Sequence, residues 1–189
     1  MAQTPPRFAA LALGLLAALA VHAASGSPYA GQQAREIKAL SPAEVQDLLA
    51  GKGMGFAKAA ELNGYPGPAH VLELARELQL SPEQEAKTRT LHARMADEAK
   101  ASGAALVNAE RELDALFRDR SVTQPRLADA LQKVAALQAR VRQAHLQAHL
   151  EQVQLLSAQQ VARYNTLRGY DAPAGAPHGH GGHGGHGHR

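Results

Sequence analysis

The sequence predicts an all-α protein: an antiparallel hairpin of two long helices, preceded by short helices. Three observations carry this. The first is a phrase that occurs twice, Leu80-Ser81-Pro82-Glu83-Gln84 and Leu156-Ser157-Ala158-Gln159-Gln160. A Ser at the N-cap accepts a bond from the N3 amide, and a Gln at N3 reaches back to the N-cap amide. Leu40-Ser41-Pro42-Ala43-Glu44 repeats the grammar with Glu in the Gln place. The second is composition. Aromatics are 4% of the chain and Trp is absent. Ala, Leu, Gln, Glu and Arg dominate instead, which favours long helices with thin, Ala-lined contacts. The third is periodicity. Two long stretches with helical apolar spacing flank a short break near Arg118 to Gln124, and a connection that short makes neighbouring helices antiparallel.

The elements follow in order. Residues 1–23 read as a secretory signal peptide: Arg7 precedes an apolar run from Phe8 to Val21, and Val21-His22-Ala23 ends in small residues. The run is shorter than the ~20 residues a spanning helix needs. Residues 24–40 read as a flexible segment, since Ser25-Gly26-Ser27-Pro28 is linker chemistry. The helical domain is expected over 41–170. Its first short helix starts at Ser41, with Leu40 and Val45 placed as a hydrophobic staple. Asn63-Gly64-Tyr65-Pro66-Gly67-Pro68 is a turn cluster, and Val71, Leu74, Ala75 and Leu78 then recur at helical spacing.

The first long helix is expected from Pro82 to about Phe117, with Leu91, Met95, Ser102, Ala109, Leu113 and Leu116 on one face. Gly103 lies inside it and suggests a close helix approach. Thr123 is the expected N-cap of the second long helix, and Pro125 lies in its first turn. Ser157 restarts or kinks it, and Gly169 is the expected C-cap. A two-helix hairpin has little core of its own, so a homodimer is expected. Residues 171–189 read as a disordered His/Gly-rich tail.

Composition also excludes functions. No cysteine is present, so disulfides and thiolate metal sites are excluded. The net charge of +3 is too small and scattered for nucleic acid. No nucleophile elbow, phosphate loop or His-Glu-x-x-His motif is present, so the chain is not expected to be an enzyme.

Metal binding is the chemistry the residues support. The tail carries His178, His180, His183, His186 and His188 among glycines, and imidazole binds zinc, copper, nickel and cobalt. A sharper candidate is His145-Leu146-Gln147-Ala148-His149, an i, i+4 pair that can share one ion. At about 100° per residue, His145 and His149 fall on the apolar stripe of Leu127, Leu131, Val134 and Val141. His92 comes within reach if the hairpin folds about residue 121. His70, at the start of a short helix, and Glu73, one turn on, are further candidate ligands. The expected metal is a divalent transition ion: zinc, with nickel, cobalt or copper as alternatives.

The two Leu-Ser-x-x-Gln phrases in an exported, cysteine-free, helical chain resemble the signature of the Spy/CpxP family, Leu-Thr-x-x-Gln twice. The likeness runs from about Gly64 to Tyr170. Its metal-sensor-like branch is resembled by Gly64-Tyr65-Pro66-Gly67-Pro68-Ala69-His70-Val71-Leu72-Glu73-Leu74, by Ala144-His145-Leu146-Gln147-Ala148-His149-Leu150, and by Arg163-Tyr164-Asn165-Thr166-Leu167-Arg168-Gly169-Tyr170. Ser stands for the usual Thr in both copies, and Ala158 for a frequent Pro. The resemblance implies a dimer forming a curved cradle in the periplasm. It implies ATP-independent holding of unfolded envelope proteins, or metal sensing and heavy-metal resistance, with a membrane sensor kinase as a possible partner. It also implies a site of His and acidic side chains from an early helix and the last long helix, where His70, His145 and His149 hold compatible positions. No membrane insertion is expected after signal cleavage.

Overall fold

The computed structural model describes residues 27–171, and all of its regular structure is helical. The signal segment and the tail histidines His178, His180, His183, His186 and His188 lie outside the described residues. The chain divides into one compact unit ending at Gln33 and another beginning at Ala34. A short 3₁₀ turn covers Gln32–Ala34. Six α-helices follow: α1 (Pro42–Leu49), α2 (Lys58–Glu61), α3 (Pro68–Glu73), α4 (Pro82–Arg118), α5 (Gln124–Leu155) and α6 (Ala158–Arg168).

The starts of these helices follow from local chemistry. Ser41, Ser81 and Ser157 each close a reciprocal capping box with the residue three on, Glu44, Gln84 and Gln160. The Thr123 side chain caps α5 by accepting from the Arg126 amide. Gly169 ends α6 in the left-handed region at φ 72, where a residue without Cβ is least strained.

Helices α4 and α5 pack along one another. Thr88 bonds Gln152, Arg94 pairs with Glu151, and Lys133 pairs with Glu112 at 2.5 Å. Early residues of one helix meet late residues of the other, so the two run antiparallel. Helix α1 lies against α4, and α3 touches both α4 and α5.

Two apolar clusters result. Ile37, Leu48, Leu106, Val107 and Val141 form one, with Leu40, Val45 and Phe56 packed on it. Val71, Leu78 and Tyr164 form the other, joined by Leu74, Leu80 and Leu156. The buried face of α4 includes Ala99, Gly103, Leu106 and Val107, which the single-face pattern missed. α4 is covered on two sides, by α5 and by α1, and one stripe cannot serve both.

The expectation of a flexible segment through residue 40 is corrected for residues 34–40. Ile37 is buried in the first cluster. The Lys38 amide donates to Asp114 Oδ1 at 3.0 Å, and Glu36 pairs with Arg111 at 2.7 Å. The apolar Ile37 draws the segment down, and linker-like residues stop short of it. On the first half of the expected α5 stripe Val134 packs on the first cluster and Leu127 is half-buried, but Leu131 is 50% exposed.

Gly103 does mark a close approach. A Cβ there would stand 2.2 Å from the Leu48 carbonyl oxygen. Ala is worth about 1 kcal/mol over Gly in a helix interior, but overpacking costs about 1–3 kcal/mol. With backbone as the obstacle, the clash wins. Gly103→Ala should therefore lower stability in urea unfolding. A variant as stable as the parent would show that α1 and α4 have room to part.

Candidate metal centre

Helix α5 carries the centre. His145 and His149 lie between Val141 of the first cluster and Leu156 of the second, and both are buried. They line a cavity of about 580 Å³ together with His70, His92, Met54, Met95 and Glu61. All four histidines of the described residues meet there.

The ring of His149 is oriented. Its Nδ1 lies 2.7 Å from the Tyr65 carbonyl oxygen. A carbonyl only accepts, so Nδ1 must carry the hydrogen. The neutral ring then keeps its lone pair on Nε2, the arrangement usual for a ligating imidazole. Gly67 makes room for that edge: a Cβ there would lie 2.8 Å from His149 Cε1 and 3.0 Å from Nε2. Gly67 has φ −87, an ordinary value, so the demand for glycine is one of space.

His145 is 4% exposed, and its Nε2 is buried with no hydrogen-bond partner. Its ring stacks on Phe56, with centroids 6.5 Å apart. Burial, and then the positive charge His149 can carry, hold its pKa below the ordinary histidine value. Such a ring stays neutral, and a neutral ring is the ligating form. A buried, unpartnered polar atom costs about 1–3 kcal/mol, and a metal ion at this ring would offset that cost.

The other sequence candidates separate. His70 lines the cavity, and its Nδ1 lies 2.9 Å from Glu73 Oε2. Glu73 itself is exposed and does not line the cavity. It is placed to orient His70, as carboxylates behind ligating imidazoles do. His92 is on the cavity wall, as the hairpin register suggested. Among the described residues, no three His, Asp or Glu side chains are gathered closely enough to hold an ion as they stand. Binding therefore requires side-chain or loop movement.

Sequence reasoning missed Glu61, Met54 and the Gly51–Gly55 loop. Glu61 Oε1 accepts from Tyr164 at 2.5 Å and Tyr170 at 2.9 Å, and Arg168 Nε lies 3.4 Å away. Its Oε2 is buried without a partner, 3.7 Å from His149 Nδ1. Burial and the Glu61 carboxylate both push the Tyr164 phenol well above its usual range, so it remains a donor. Met54 holds φ 44, a conformation that costs an L-residue roughly 1–2 kcal/mol. Glycines on either side of Met54 were the available signal.

No family model, curated protein or solved structure matches the chain. Among the described residues, no helix is long and apolar enough to cross a membrane.

His145 gives a pH dependence with a definite sign. Its folded pKa lies below the unfolded value of about 6.5, so the unfolded chain binds more protons in that window and stability falls with pH. The melting temperature of the metal-free protein should drop as pH falls from 7.5 to 5, and His145→Leu should shrink that drop. The depressed carboxylates Glu44, Glu73, Glu83 and Glu151 contribute their losses only below about pH 4.5. An equal drop in His145→Leu would remove His145 as the cause.

Proposed function

We propose that this is an exported, periplasmic, non-enzymatic helical protein that binds a divalent transition ion and buffers or senses it. The observation that carries the proposal is the pair His145 and His149. Both are buried on one face of α5, one with an unpartnered nitrogen and one held in the ligating tautomer. The resemblance to the Spy/CpxP family supports the same reading. In this account metal draws the Gly51–Gly55 loop, α3 and α5 together. It shifts a conformational equilibrium by its preference for the closed arrangement. The tail histidines supply a second, weaker reservoir.

A homodimer belongs to the proposal. Phe117 and Leu131, 55% and 50% exposed, lie towards the α4–α5 connection, where a second copy would find apolar surface. The same surface favours a second reading, a metal-independent holdase for unfolded envelope proteins. Such a protein would slow aggregation of a denatured client equally with and without chelator.

The test uses the full chain from Ala24 with the five tail histidines replaced by Ser. Zinc, nickel, cobalt and copper(II) are titrated by calorimetry and melting. At least one ion should bind and raise the melting temperature. Saturation at a hundredfold over Kd corresponds to about 2.7 kcal/mol. His145→Ala with His149→Ala should abolish both effects. If none of the four ions shifts the melting of the tail-substituted chain, or the double variant binds as the parent does, the ordered centre is wrong.

A further inference from the structure

The cavity contains ligands that a purely imidazole and carboxylate centre would not need. The chain has three methionines including Met1, and the other two, Met54 and Met95, both line this one cavity. Met95 stands one helical turn after His92 on α4, so the two share a face. Across from them on α5 are His145 and His149, in the stretch where Arg94 pairs with Glu151. Met54, 40% exposed, comes from the loop between α1 and α2. Its loop is seated against α4 at Gly51, where a Cβ would meet Lys100 and the Ala96 carbonyl. Gly53 lies close to the His145 ring. The left-handed backbone of Met54, between Gly53 and Gly55, is a local strain kept beside a cavity, and strained residues cluster at ligand sites.

Charge points the same way. Glu61 is the carboxylate of the wall; its Oε1 is engaged by Tyr164, Tyr170 and Arg168, while its Oε2 has no hydrogen-bond partner. Lys58 and Lys100 bring positive charge to the lining, and Lys52 there is paired with Asp47 at 2.7 Å. A divalent ion on neutral ligands would add two charges beside one carboxylate and the ammonium groups of Lys58 and Lys100. A monovalent ion adds one. Thioether sulfur is a soft donor that favours Cu(I), and imidazole accepts copper as well.

We infer that the preferred occupant of this cavity is monovalent copper, held by the thioethers of Met54 and Met95 together with two of the imidazoles of His92, His145 and His149. This rests on the reading of the cavity as a metal centre: divalent ions bind there through imidazole, and Cu(I) binds more tightly by adding the thioethers. On loading, the Met54 loop closes over His145, and the sulfur atoms discriminate Cu(I) from zinc.

The experiment uses the full chain from Ala24 carrying the five His→Ser tail substitutions. Cu(I), kept reduced with ascorbate under nitrogen, is partitioned against the chelator bicinchoninate. Zinc is titrated separately by calorimetry. Met54→Leu with Met95→Leu conserves volume, and its helicity and melting should match the parent. The expected result is at least a tenfold loss of Cu(I) affinity with zinc affinity unchanged. Sulfur scattering from copper should appear in X-ray absorption of the parent and disappear in the double variant. Equal Cu(I) affinity in parent and methionine variant overturns the inference. So does a parent that does not hold Cu(I) against the chelator. If zinc binding then still depends on His145 and His149, the imidazole centre stands without the thioether subsite. If zinc binding is absent too, the metal-centre reading falls with it.

Discussion

Two side-chain amides hold the open end of the hairpin. Gln84 Nε2 donates to Gln160 Oε1 at 2.9 Å, and Gln160 Nε2 donates to Gln84 Oε1 at 3.0 Å. Each Gln also accepts from the amide of its own N-cap, Ser81 or Ser157. Each spends its second N–H on a carbonyl of the other segment, Gln84 on Leu155 and Gln160 on Leu78. Both donors and two acceptor positions of each amide are thus occupied. Leu155 is the last residue of α5, so its carbonyl is one the helix itself cannot satisfy. A Glu could close the capping box but has no N–H to give. Glu44, in the third copy of the phrase, closes only its own box.

That clamp fixes where α6 lies, and α6 in turn fixes one wall of the candidate centre. Tyr164, fully buried, delivers its hydroxyl to Glu61 and lies 3.5 Å from the Gly67 amide. Glu61 and the 65–67 turn are therefore tied to the last helix, and Tyr65 supplies the carbonyl that orients His149. Each hydrogen bond contributes only about 1 kcal/mol net. The chain of bonds matters more through geometry, because losing any member leaves a buried polar group without a partner. The centre combines this rigid side with a Gly-rich loop on its other wall.

Much of this fold could be read locally. Helix starts at Ser41, Ser81, Thr123 and Ser157 and the stop at Gly169 are written in single residues, and the structure has each of them. The inward placement of His145 and His149 followed from a helical period. Other features depend on partners distant in sequence. The Gln84–Gln160 contact cannot be told from two independent caps without the fold. Ile37 looked like linker because its neighbours are polar. Glu61 looked like an ordinary surface acid, and only α6 makes it a buried hub. Glu73 was placed by reach along the chain, and reach does not say whether a carboxylate points into a cavity or behind an imidazole.

The repeated signature is one tertiary network as well as two helix caps. A double-mutant cycle in urea unfolding of the metal-free chain measures this directly, with Gln84→Ala, Gln160→Ala and the pair. If the amides act together, the double variant should be less destabilised than the sum of the singles, with a coupling energy within the usual range of about 0.5–3 kcal/mol. Losses that add to within about 0.3 kcal/mol would make the two glutamines separate caps and would contradict the account.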